Sequence, residues 1–158
     1  MKHICHSLYF LSLLLFGCQS IVTPPAEFPT IDAARELQIF LDPGPTSEDY
    51  VRFKRVLEDV FYELEYPGEL IFHKDTAKIV GDGPQMEIRI EEWSAGYSCE
   101  LQVSLSNESA KTHLGLIYGH YTPPSFGSSA RRQGYEGAAK IAARSLFVRL
   151  LPYTNLDR

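Results

Sequence analysis

The stretch Met86–Ser106, MEIRIEEWSAGYSCELQVSLS, decides the fold class because it contains two alternating segments joined by a turn. Apolar side chains from Met86 to Ile90 alternate with charged ones, which is the period of a strand with one buried face. From Cys99 to Leu105 apolar side chains again alternate with polar ones, after a Ser-Ala-Gly turn signal. The stretch therefore predicts two neighbouring antiparallel strands.

A third strand is predicted immediately downstream, from Thr112 to Tyr121. Alternation places Leu114, Leu116 and Tyr118 toward the core. Short connections between three successive strands are typical of an antiparallel meander.

Upstream, the pattern predicts a strand, a helix and a second strand. The apolar run Leu37–Leu41 is followed by a Pro/Gly turn, and Thr46 and Ser47 offer N-cap hydroxyls to the helix. Pro67 and Gly68 end that helix, and Glu69–His73 forms the next strand, parallel to the first by the usual crossover rule. The predicted buried face of the helix consists of Tyr50, Phe53, Leu57, Val60 and Leu64.

The other face of this helix carries pairs of opposite charge at i,i+4. They are Glu48 with Arg52 and Arg55 with Asp59, each stabilising the helix by only about 0.3 kcal/mol. This face is interpreted as solvated surface and not as a site.

Toward the C-terminus, residues 121–134 are rich in Pro, Gly and Ser and predict a surface loop. Residues 135–151 predict a helix that Pro152 ends, with Ala139, Ala142, Ala143, Leu146 and Leu150 facing inward. A short strand over residues 74–80 is left open. Residues 36–158 are thus expected to form one α+β domain, a two-layer α/β sandwich with a β-α-β unit, a meander and a C-terminal helix.

The N-terminus has the features of an export signal. Lys2 precedes a mostly apolar run, Ile4–Phe16, which is shorter than the ~20 residues that a membrane-spanning helix needs. The run ends in Leu15-Phe16-Gly17-Cys18, which resembles the lipobox of bacterial lipoproteins. Residues 1–17 then form the signal peptide and residues 18–35 a Pro-rich tether; the alternative is an ordinary cleaved signal with Cys18 unmodified.

The lipobox resemblance implies a lipid-anchored protein of the cell envelope, bound to the membrane through lipid on Cys18. Gln19 stands where an Asp would imply retention in the inner membrane, so the resemblance implies the outer membrane, facing the periplasm. The order of elements is similar to that of small, often uncharacterised envelope lipoproteins of Gram-negative bacteria, some of which assist envelope assembly. A non-catalytic binding or assembly role, with an envelope protein as partner, is therefore expected.

Composition limits the function further. A net charge of −5 over 158 residues disfavours nucleic acid as a partner. Cys99 lies at an apolar position of a predicted strand, so a buried and inert thiol is expected rather than a reactive one.

The sequence contains no recognisable motif for catalysis or metal binding. The sequence has no Gly-x-Ser-x-Gly elbow, and His73, His113 and His120 lack the spacing of a zinc site. No cofactor and no metal are expected, and the protein is predicted not to be an enzyme. A small periplasmic hydrolase without a recognisable motif is the alternative.

Aromatic and basic residues in the region of residues 118–132 are the candidate binding residues. Exposed aromatics beside prolines and an arginine pair are typical of a contact surface for protein, peptidoglycan or lipid headgroups. The alternative is that these aromatics fold back over the edge of the sheet. The candidates are Tyr118, His120, Tyr121, Phe126, Arg131 and Arg132.

Overall fold

The computed structural model describes residue 31 and residues 36–42, 47–73, 83–94, 97–107, 110–124 and 127–155. The signal segment, the lipobox and the stretch 74–80 lie outside the described residues. The elements are β1 (Leu37–Asp42), α1 (Ser47–Glu63), β2 (Leu70–His73), β3 (Gln85–Ser94), β4 (Ser98–Ser106), β5 (Lys111–His120) and α2 (Ser128–Leu150), followed by a 3₁₀ turn (Leu151–Tyr153).

The five strands form one mixed sheet in the order β2-β1-β3-β4-β5. The predicted parallel pairing of β1 with β2 is confirmed. Strands β3, β4 and β5 pair antiparallel, but β3 also pairs parallel with β1, so the meander is only part of a mixed sheet. The described residues therefore form a mixed α/β fold with two helices, one of them near the C-terminal end.

Both helices pack on the same face of the sheet. Trp93, Cys99 and Gly119 are cross-strand neighbours on β3, β4 and β5. The ring of Phe53 on α1 meets the ring of Trp93 edge-on at 5.7 Å. A side chain at Gly119 would collide with the backbone of α2. The main core accordingly lies between this face and the two helices.

The predicted buried face of α1 is confirmed except at its last position. Tyr50, Phe53, Leu57 and Val60 are all buried. Leu64 is 36% exposed because α1 ends at Glu63, one residue before it. On the outer face Arg52 pairs with Glu48 as predicted.

The second ion pair predicted on α1 was wrong. Arg55 forms no ion pair with Asp59 in the described part of the chain. The i,i+4 spacing permits such a pair on a helix but stabilises it too weakly to hold both exposed side chains together.

A β-bulge reverses the predicted alternation of β5. The register shifts opposite Val103 and Ser104, where Gly115 adopts a φ of 84°. One extra residue moves every following side chain to the other face. Leu114 is buried as predicted, but Ile117 and not Leu116 or Tyr118 faces the core; those two are 53% and 56% exposed.

Helix α2 begins earlier than predicted, so the assignment of residues 128–134 to a loop was wrong. Gly134 favoured the loop prediction, because glycine usually weakens a helix. Here it is required, since a Cβ at Gly134 would lie 1.8 Å from Cδ1 of the Tyr97 ring. The glycine lets the tyrosine pack directly on the helix backbone. The five inward positions predicted for α2 are all buried.

Ile31, within the predicted tether, contacts the C-terminal end of the domain. Its side chain is only 2% exposed, and its N–H donates to the carbonyl oxygen of Tyr153 at 2.6 Å. Neither described helix has the length and apolar character needed to cross a membrane.

Candidate functional site

An open cavity of about 440 Å³ is bordered by α1, the start of α2 and the end of β3. Cavities of roughly 300–1,000 Å³ are the usual size for small-molecule sites. Arginine and aromatic side chains dominate its walls, so we call it the arginine pocket. Its lining residues are Arg52, Arg55, Trp93, Arg131, Arg132, Tyr135 and Glu136.

Each helix contributes two arginines. Arg52 and Arg55 are three residues apart on α1, so their side chains leave neighbouring points of one helix face. Arg131 and Arg132 lie at the start of α2, whose first turn contains no acidic residue. All four side chains are exposed. Since α1 and α2 are far apart in sequence, only their packing on the same sheet face creates the cluster.

The aromatic wall of the pocket is held by two reciprocal hydrogen bonds. Trp93 Nε1–H donates to the carbonyl oxygen of Tyr135 at 3.0 Å, and the Tyr135 hydroxyl donates to the carbonyl oxygen of Trp93 at 2.8 Å. The two ring centroids are 5.2 Å apart, and the ring planes make an angle of 44°. Phe53 supports Trp93 from the core side. The wall is therefore positioned before any ligand arrives.

The pocket has an excess of positive charge. Arg52 pairs with Glu48, and Arg132 Nε lies 3.1 Å from the Glu136 carboxylate. Within the described residues, Arg55 and Arg131 have no ion pair or side-chain hydrogen bond. Four guanidinium groups against two carboxylates leave two positive charges, although the whole chain carries −5. Guanidinium groups bind carboxylate and phosphate oxygens through paired N–H donors, so the pocket is suited to an anion.

The structure separates the binding residues that the sequence suggested. Arg131 and Arg132 line the arginine pocket. Tyr118 and His120 lie on the opposite face of the sheet, with parallel rings 6.5 Å apart. Tyr121 is half-buried, and its ring fills the space beside Gly137 of α2. Phe126 lies outside the described residues.

A second, smaller cavity of about 130 Å³ lies on the open face of the sheet. There the Glu87 carboxylate accepts hydrogen bonds from Lys111 Nζ at 2.9 Å and from the Ser104 hydroxyl at 3.3 Å. The hydrogen bond from Lys111 is the main cause that lowers the pKa of Glu87, with His113 adding to the effect. A carboxylate stabilised in its charged form is a poor general base. This cluster is better explained as a cross-strand ionic network.

The remaining described histidine, His73, and the described cysteine, Cys99, both pack against other parts of the fold. The His73 ring stacks on Phe40 with centroids 5.0 Å apart and contacts the Gln38 amide oxygen. Cys99 is fully buried, and burial raises the pKa of its thiol to about 12, as expected for an inert thiol. Within the described ranges, no three His, Cys, Asp or Glu side chains are arranged so that they could hold a metal ion.

Sequence reasoning missed most of the arginine pocket. It assigned Arg52 and Arg55 to a solvated helix face and Tyr135 to the beginning of a helix. Trp93 follows the alternating segment Met86–Ile90, and no role was predicted for it. The arginine pair was the one local signal, and residues that converge from three separate elements leave no motif along the chain.

Comparison with known proteins gives no family. No protein-family model and no curated protein matches the chain.

Three solved structures have a limited similarity to this chain. A Xanthomonas campestris protein of family DUF330 matches with a TM-score of 0.49 and 13% identity, over 83% of this chain and 91% of that chain. A variant of the PelC dodecamer from Paraburkholderia phytofirmans matches with a TM-score of 0.49 and 11% identity, over 84% and 96%. An uncharacterised protein has a TM-score of 0.47 and 6% identity, over 77% and 94%. The two named sources are Gram-negative bacteria, and similarity at these levels assigns the chain to no family.

Proposed function

We propose that this protein is a lipid-anchored component of the bacterial cell envelope whose domain binds an anionic ligand in the arginine pocket without catalysing a reaction. The anchoring part rests on the sequence Leu15-Phe16-Gly17-Cys18 after an apolar run. Lipid on Cys18 would hold the domain at the periplasmic side of the outer membrane. Acyl chains contribute about 0.8 kcal/mol per buried CH₂, so an anchor with several chains is stable.

The observation that carries the binding role is the excess of guanidinium groups in the arginine pocket. Arg55 and Arg131 line one cavity, and neither is paired with a carboxylate in the described residues. Holding like charges together is unfavourable unless a ligand compensates them. An anion that accepts hydrogen bonds from both arginines would relieve this repulsion and could bridge α1 and α2.

A hydrolase remains the second candidate, and the cluster around Ser104 is what favours it. There a hydroxyl, a carboxylate and a histidine share one shallow cavity. Ser104, however, donates to the carboxylate of Glu87, whose pKa is lowered. Activation of a serine nucleophile needs a base that accepts its proton readily. The arrangement therefore supports binding better than catalysis.

The binding role can be tested with inorganic phosphate as the probe. Trp93 is the single tryptophan of the chain and lies in the pocket wall, so its fluorescence reports directly on occupancy. We expect phosphate to change Trp93 emission in the full-length chain in detergent, and the double variant Arg55→Gln/Arg131→Gln to lose this response. Arg144→Gln is the matched control. Arg144 lies in the second half of α2, pairs with Glu63 at the end of α1, and does not line the arginine pocket.

An equal phosphate response in the double variant and in the wild type would contradict the binding role. Anchoring is tested separately with Cys18→Ser, which should abolish incorporation of labelled fatty acid. Cys5→Ser, in the signal segment, serves as its control. Undiminished labelling of Cys18→Ser would refute the lipid anchor and leave the pocket proposal intact.

A further inference from the structure

We infer that the ligand of the arginine pocket is a phosphorylated sugar, held by its phosphomonoester on Arg55 and Arg131 and by its ring on the wall formed by Trp93 and Tyr135. This inference rests on the proposed anion-binding function and specifies its ligand class. Charge, cavity size and the geometry of the aromatic wall support it independently.

The charge of the pocket matches a dianion. After the pairs Arg52–Glu48 and Arg132–Glu136 are counted as neutral, Arg55 and Arg131 leave two positive charges. A ligand with one carboxylate group would neutralise only one of these two charges. A phosphomonoester carries about 1.5 to 2 negative charges near neutral pH, and its three terminal oxygens can accept from two guanidinium forks at once.

The pocket is larger than a phosphate group alone would fill. A cavity of about 440 Å³ exceeds the space that a few atoms occupy, given that one water takes roughly 30 Å³ of liquid. An organic body must fill the remainder if water is to be displaced from the aromatic wall. The net charge of −5 over the whole chain repels long polyanions, so a small ligand is favoured.

The aromatic wall suits a saturated ring better than a flat base. The N–H of Trp93 and the O–H of Tyr135 already donate to each other's backbone carbonyls, so the wall offers ring surface and no free donor. The two rings are tilted by 44°, which provides no parallel slot for a nucleobase. The C–H face of a sugar can pack on either ring, while its hydroxyls reach the Glu136 carboxylate and the guanidinium groups at the rim.

The test is a set of ³¹P NMR titrations of the full-length chain with inorganic phosphate, glucose 6-phosphate and AMP. We expect glucose 6-phosphate to bind about tenfold more tightly than phosphate, equivalent to about 1.4 kcal/mol. In Tyr135→Leu the preference for glucose 6-phosphate over phosphate should disappear, so that the ratio of the two affinities falls from about ten to about one. Trp93→Leu, which removes the other ring of the wall, provides a second variant with the same expected loss of preference if Tyr135→Leu does not fold.

The outcomes separate this inference from the function on which it rests. Equal affinities for phosphate and glucose 6-phosphate would overturn the sugar assignment and leave an anion site. Tighter binding of AMP would replace the sugar with a nucleotide. Absence of binding by all three ligands would overturn both proposals.

Vesicles of phosphatidylcholine, with and without a phosphorylated glycolipid, identify the source of the sugar phosphate. Pocket-dependent binding to the glycolipid vesicles, competed by glucose 6-phosphate, supports a lipid headgroup. Binding of the soluble compound alone supports a free sugar phosphate.

Discussion

Gly119→Ala tests a close approach of β5 to the backbone of α2. A Cβ at this position would lie 2.1 Å from the Ala138 carbonyl oxygen and 2.6 Å from the Ala142 nitrogen. Both atoms belong to the backbone of α2, so no side-chain rotation can relieve the collision. The helix must therefore move away from β5 by about 1 Å, which loosens the buried alanine face of α2 against the sheet.

We expect Gly119→Ala to lower the free energy of unfolding by about 3 kcal/mol, the upper end of the usual cost of overpacking. Urea denaturation followed by circular dichroism measures this loss. With an m-value of about 2 kcal/mol/M, the midpoint should fall by about 1.5 M. Such a change is a large part of the ~5–15 kcal/mol that stabilises a typical domain.

Gly83→Ala is the matched control for this variant. The nearest atom to its new methyl group is the Glu36 carbonyl oxygen at 3.8 Å, an ordinary contact. Its unfolding free energy should change by less than about 1 kcal/mol. Equal midpoints for the two variants would refute the conclusion that α2 lies directly on the backbone of β5.

Two further predictions concern single ionisable groups. The Cys99 thiol, with a pKa of about 12, should resist iodoacetamide at pH 8 in the folded protein and react once urea unfolds it; peptide mapping that finds Cys99 alkylated in the native state would contradict its burial. The Glu87 pKa is lowered from 4.5, so its pairing with Lys111 should stabilise the fold above that pH and cease to do so as the pH falls below it. Because both side chains are about half exposed, Glu87→Gln should cost at most about 1 kcal/mol at pH 7, and a cost that persists unchanged at pH 3 would exclude this cause.

The elements with a regular hydrophobic period could be predicted from sequence alone. The stripe on α1 and the alternation in β3 and β4 report directly which face is buried, because side chains repeat with the geometry of the backbone. The residues at which the elements end were harder to predict. Leu64 continues the period of α1 but lies beyond its end, where Glu65 adopts a positive φ.

The predictions from sequence were wrong where tertiary contacts outweigh the local preferences of single residues. In the sequence Gly134 suggests the end of a helix. In the structure the Tyr97 ring occupies the space that a side chain at this position would need. In β5, one bulge exchanges the buried and exposed positions, so Tyr118 was expected in the core and lies on the open face. A bulge is a property of the pairing between two strands, and one strand alone does not reveal it.

The sequence alone indicated an α/β domain and the buried faces of α1 and α2, and it predicts an export and lipidation signal. These features depend on residues that are neighbours along the chain, or on a period that one element displays. Tertiary structure alone brought Arg52 and Arg55 of α1 to the same cavity as Arg131 of α2 and Trp93 of β3. No local period links these residues, because the cavity exists only once both helices pack on one face of the sheet.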